Sequence, residues 1–121
     1  MKITWYGHSC FRIETGQSKE LIDPFLKGNP TFESSSVAWD EATAGITHVA
    51  LTHGHDDHVG DAGEICAKTG ATLLAVYELA MHVAGKGAKK LEPMNTGGTV
   101  ACGDFDLTLT AILQEARQSS S

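Results

Sequence analysis

Leu51-Thr52-His53-Gly54-His55-Asp56-Asp57-His58-Val59-Gly60 is the stretch on which the reading of this chain turns. It holds three of the six histidines, with two aspartates between them. Imidazole and carboxylate together suit a borderline-soft divalent cation such as zinc. His53 and His55 are two apart, so in an extended segment they project to one side. Gly54 between them lets the backbone bend and approach an ion closely. Asp57 and His58 follow where the chain turns toward a helix, and can offer a second pair of donors to a neighbouring point. The pattern suits two metal ions, which in such sites sit roughly 3.5–4 Å apart. Donors this dense, placed just after an apolar strand, argue against a plain polar loop. Weak surface binding of metal without chemistry stays open. Asp56 reads as a solvated loop carboxylate.

Working outward, 48–51 is the short apolar strand that delivers the motif. Downstream, Asp61 with Glu64 three residues on reads as an N-cap and capping box. A helix over 62–68 should follow and stop at Gly70. Then come a strand over 71–76, a helix over 78–84 ending near Gly85, and a short strand over 89–92. Gly97-Gly98 opens a pair of strands, 99–101 and 105–112, turned at Cys102-Gly103-Asp104. Upstream, 2–6, 10–14 and 19–22 read as three strands, joined by turns at Gly7-His8-Ser9 and Gly16-Gln17-Ser18 into a meander. Residues 26–36, with Gly28, Pro30 and a run of serines, read as a loop. Residues 40–44 read as one helical turn.

The 121 residues suggest one domain, and 41% hydrophobic with 20% charged residues is an ordinary globular composition. Nine basic against 15 acidic residues give −6, which argues against a partner held by its phosphate backbone. Residues 1–12 lack the apolar run of a signal peptide, and no stretch is long enough to span a bilayer. Cys10, Cys66 and Cys102 are odd in number and widely spaced, which points to reduced core thiols and a cytoplasmic location.

His53-Gly54-His55-Asp56-Asp57-His58 resembles the His-x-His-x-Asp-His motif of the metallo-β-lactamase superfamily. Trp5-Tyr6-Gly7-His8-Ser9-Cys10-Phe11 and Leu21-Ile22-Asp23-Pro24-Phe25 are similar to the amino-terminal strands of its ascorbate-6-phosphate lactonase-like (UPF0173-type) hydrolases, and Asp104-Phe105 also fits that group. The resemblance covers about residues 1–113 and leaves 114–121 as a polar tail. It implies an α/β fold: half of a four-layer αββα sandwich, one mixed sheet with helices on one face. It implies that His53 and His55 bind a first metal, and that Asp57 and His58 bind a second. Asp57 would also act in catalysis by helping to hold the attacking water. His8 and Asp23 become candidates for the layer behind the ligands, with Asp23 orienting the metal loop. The implied chemistry is attack by metal-bound hydroxide on an ester, lactone or phosphodiester of a small-molecule substrate. Up to two ions are implied, zinc first, with Mn2+ or Fe2+ accommodated by the same donors.

The chain also departs from the family pattern. The family's third histidine for the first metal corresponds to Gln114 or Gln118, depending on alignment, and its bridging aspartate and last histidine fall beyond Ser121. Two catalytic metals need about five or six donors between them, and the motif supplies fewer. Half a sandwich also leaves one apolar sheet face without cover. The expected partner is therefore a second copy related by a two-fold axis, or a complementing second half. The rival reading is a metal-binding, self-associating half-domain without turnover. A nuclease-like role is disfavoured by the net charge.

Overall fold

The first three strands follow from simple alternation. The computed structural model describes residues 1–54, 59–95 and 97–109. In it β1 (Lys2–Gly7), β2 (Cys10–Glu14) and β3 (Lys19–Ile22) form the antiparallel meander. β4 (His48–Ala50), β5 (Thr72–Val76) and β6 (Lys90–Met94) then add in parallel, giving a sheet in strand order β1-β2-β3-β4-β5-β6. Parallel neighbours need crossovers. These carry the helices: α1 (Pro30–Glu33) and α2 (Trp39–Thr43) before β4, α3 (Ala62–Thr69) before β5, and α4 (Tyr77–Ala84) before β6. Phe32, Ala42, Ile65 and Val83 from the helices share one buried cluster with Leu21, Val49 and Leu73 from the sheet. The fold is thus one mixed sheet with helices on one face.

Register defines the other face. Ile3, Ile13, Glu20 and His48 form one row across the strands, and Trp5, Phe11, Ile22, Ala50 and Leu74 form the next. A hairpin of β7 (Thr99–Ala101) and β8 (Asp106–Thr108) covers part of this face, where Ala50, Leu74, Met94 and Cys102 make a second buried cluster. The cover stops short of β1, where Ile3 and Trp5 are 59% and 57% exposed.

Three local expectations change. The 26–36 segment contains α1, because the Asn29 side chain accepts from the amides of Thr31 and Phe32 and Pro30 opens the helix. Asp61 sits at the N-cap of α3, but its carboxylate makes no capping bond. The strand expected over 89–92 runs on to Met94 through Pro93, tolerated because β6 is an edge strand. The carboxyl-terminal end of α3 is as expected: Gly70 adopts φ +73 and its amide bonds back to Cys66. Of the strand expected over 105–112, residues 110–112 lie outside the described residues, as does the tail 114–121.

Candidate metal centre

β4 ends at Ala50, and the motif begins three residues later. What fixes that approach is Asp23, the residue after β3. It is buried and takes φ +47, a conformation that aspartate tolerates better than most residues. Its amide donates to Ala50 O at 2.9 Å. Its Oδ1 accepts the Thr52 amide at 2.7 Å, and its Oδ2 accepts the Thr52 hydroxyl at 2.5 Å. That hydroxyl has a single proton. Having donated it to Asp23, Thr52 Oγ1 can only accept from His53 Nδ1, which lies 2.8 Å away. The network therefore protonates His53 at Nδ1 and leaves the ring's lone pair on Nε2, the nitrogen of a metal ligand. A carboxylate fixing a histidine tautomer from behind is the usual support of a metal site.

The same loop grips the far side of the motif. The Asp61 amide donates to Pro24 O at 3.0 Å. Gly60 has φ +45, and a Cβ there would lie 2.6 Å from both Phe25 Cα and Pro24 O. Only glycine meets both conditions at once. Asp61 Oδ2 turns away from its helix to accept the Lys27 amide at 3.0 Å and Trp39 Nε1 at 2.8 Å. Asn29 Nδ2 donates to Phe25 O at 2.9 Å and fixes the loop from below. The metal loop is therefore anchored at both ends to residues 23–25.

Of the residues expected at the site, His53 is half-buried at this anchored end. His8 occupies the β1–β2 turn at φ +52, with its ring edge-on to Phe25 at 5.3 Å between centroids. Trp5 Nε1 donates to the His8 carbonyl at 2.8 Å. His8 and Asp23 thus converge on the loop that anchors the motif. His55, Asp57 and His58 lie outside the described residues, as do Gln114 and Gln118. Among the described residues no three histidine, cysteine, aspartate or glutamate side chains gather as a metal cluster. The thiols do not compete as ligands: burial, with the charges of Asp23 and Asp61 adding to it, pushes Cys10 up to about 12, and burial pushes Cys66 up to about 11. The residues present fit an imidazole- and carboxylate-bound divalent ion better than a thiolate-bound one.

Sequence reasoning missed Thr52 and misassigned Asp61. A threonine directly before the first histidine was the available signal for one. For the other, the competing amides of Lys27 and Trp39's indole come from more than 20 residues away, which no local pattern reveals.

A family model described as the metallo-beta-lactamase superfamily matches residues 3–113. A UPF0173 metal-dependent hydrolase of Mesorhizobium japonicum is 52% identical over 96% of this chain and 49% of its own length. One from Methylocella silvestris is 53% identical over 96% of this chain and 49% of its own length. The chain spans about half the length of the curated relatives it matches. Among solved structures, Igni18, a metallo hydrolase from Ignicoccus hospitalis, superposes with a TM-score of 0.69 at 32% identity, over 82% of this chain and 41% of its own. The Rm3 metallo-beta-lactamase shares the fold with a TM-score of 0.63 at 22% identity, over 85% of this chain and 45% of its own. An imidazole presented from behind by a buried carboxylate, at the end of the strand where that family carries its metal motif, agrees with the match along nearly the whole sequence: the chain belongs to the metallo-beta-lactamase superfamily.

Proposed function

We propose that this chain is the metal-holding amino-terminal half of a metal-dependent hydrolase acting on an ester, lactone or phosphodiester of a small molecule. The carrying observation is the relay from Asp23 through Thr52 to His53, which sets one imidazole in the tautomer that binds metal. His53 and His55 would hold one ion, and Asp57 and His58 a second. Zinc is the first choice, with Mn2+ or Fe2+ as alternatives. When bound, such a metal supplies Lewis acidity and acidifies water toward neutral pH. This chain's own part is to hold the imidazole by Asp23 and Thr52, to help hold the attacking water at Asp57, and to keep the loop fixed at Pro24 and Phe25. The relatives' shared name, metal-dependent hydrolase, supports the reaction class.

The exposed residues of β1 support a second element of the reading. The chain works against a partner covering that sheet face, either a second copy or a complementing half. If the partner adds no ligands, the chain binds metal and self-associates without turnover. Metal analysis of protein purified without chelator, beside ester and phosphodiester assays, tests the proposal. Bound zinc that is lost in His53→Ala supports the metal reading, and turnover lost in the same variant supports the hydrolase. Protein that retains none of zinc, manganese or iron overturns both. Light scattering that gives a monomer at micromolar concentration overturns the second-copy partner.

A further inference from the structure

The hairpin does not seal the sheet face that it covers. Between it and the meander lies a cavity of about 220 Å³, walled by Met1, Ile13, Ile22, Phe105 and Leu107. Glu20 also lines it. This carboxyl is only 4% exposed, and its Oε1 has no hydrogen-bond partner among the described residues. A buried carboxyl oxygen without a partner is costly, and native structures leave few of them. Asp106 lines the same cavity, Met1 brings the amino terminus to it, and among the described residues no lysine or arginine side chain lines it.

We propose that this cavity binds a small organic cation, a primary ammonium on a short apolar body, with Glu20 as its counter-ion. The apolar walls take the body, and the Glu20 carboxylate, turning toward the cavity that it lines, accepts from the ammonium. A chain of net charge −6 favours the approach of a cation. The site shares no residue with the metal motif, so its test is separate from that of the metal; Ile13 and Ile22 lie on the sheet face that the proposed partner would cover.

The surroundings set the pH dependence. Burial pushes Glu20 up to about 7. His48 neighbours it on β4, and burial lowers its imidazole pKa, so it brings little positive charge near neutrality. From the hairpin come Asp104, Asp106 and the thiol of Cys102, and from the residue just before β1 the amino-terminal group of Met1. Binding of a cation needs Glu20 ionised, so affinity rises as pH rises through the folded pKa.

The test is titration of n-butylammonium chloride into the whole chain, followed by amide chemical shifts, with n-butanol as the neutral control. The expected result is saturable shifts at Ile13, Ile22 and Leu107, and at least about ten-fold weaker binding of butanol. Glu20→Gln should remove the preference for the cation while its melting curve shows that it folds. The wild-type affinity should increase from about pH 6 to about pH 8. Equal binding of butanol, an unchanged Glu20→Gln variant, shifts confined to other surfaces, or no binding at all would each overturn the proposal.

Discussion

On the helix side of the sheet, Leu21, Val49 and Leu73 are fully buried in one cluster with Ile65 and Val83. On the other side, the hairpin shields Ala50 and Leu74, yet Ile3, Trp5 and Phe11 along the meander stay exposed. Both faces carry apolar residues in the same alternating strands, so the difference is one of cover and not of composition. Helices arrive on the first face because each parallel addition requires a crossover, and the crossovers bury their apolar stripes against the strands. Among the described residues only the β7–β8 hairpin covers part of the second face. A partner on that face, as proposed above, would gain from apolar area removed from water, at about 25 cal/mol per Å².

The sharpest way to break this contrast is to truncate one residue on each side. Leu73→Ala removes a fully buried side chain from the covered face and should cost about 2–5 kcal/mol, read as a lowered urea midpoint. Trp5→Ala should cost the monomer less than about 1 kcal/mol, because the ring is already more than half exposed. If the second face is an interface, Trp5→Ala should instead weaken association, and its stability effect should grow with protein concentration. Equal, concentration-independent losses in the two variants would mean that the faces do not differ as described.

The metal loop takes its order from the junction of β3 and β4, and here a smaller change is enough. Asp23→Asn keeps the shape and the tolerance for positive φ. Its Oδ1 can still accept the Thr52 amide, but its amide nitrogen now donates to Thr52 Oγ1. The Thr52 hydroxyl must then donate to His53 Nδ1, which moves the ring proton to Nε2 and blocks the nitrogen proposed to bind metal. Zinc affinity should fall about 10–100-fold with little change in the melting curve, since outer-layer partners of metal-bound histidines carry effects of that size. Nitrogen NMR of the imidazole reports the tautomer directly. Unchanged affinity with an unchanged tautomer would show that Asp23 supports only the backbone.

These residues also mark how far the sequence could be read. The strands were legible because Ile3, Trp5, Phe11 and Ile13 alternate with polar neighbours, a local pattern. The helices α3 and α4 were legible from their apolar spacing and glycine ends. α1 was not, because Gly28, Pro30 and three serines mimic a loop, while the Asn29 cap that makes a helix there is a single side chain. Asp61 was misread for the opposite reason: a correct capping position does not stop a carboxylate from choosing the amide of Lys27 and the indole of Trp39. The motif's candidate donors were named from sequence, but the relay behind His53 joins residues 29 apart and exists only once β3 lies beside β4. The burial of Glu20 is a similar case, since a lone acid in a strand looks solvated until the hairpin that begins at Thr99 folds over it.

The smallest expected effect concerns what holds that hairpin down. Asp104 accepts from Thr15 Oγ1 and Ser18 Oγ at 2.6 Å each and from the Gln17 amide at 2.9 Å, tying the β7–β8 turn to the β2–β3 turn. These donors hold its carboxyl down at about 2, the bond from Ser18 contributing most. A carboxyl lowered in the folded state contributes above its unfolded pKa, and the contribution is lost as pH falls through the folded value. The tie is therefore intact at neutral pH and should release only as the pH falls from about 4 toward about 2. Because Asp104 is solvent-exposed, its removal should act locally. Asp104→Ala should speed hydrogen exchange at Cys102, whose amide bonds to Phe105 O at 2.8 Å, and leave the amides of β4 and β5 protected as before. Equal acceleration across β4 and β5 would mean that the hairpin is an integral layer of the fold, and the partly covered face would then be as firmly built as the helical one.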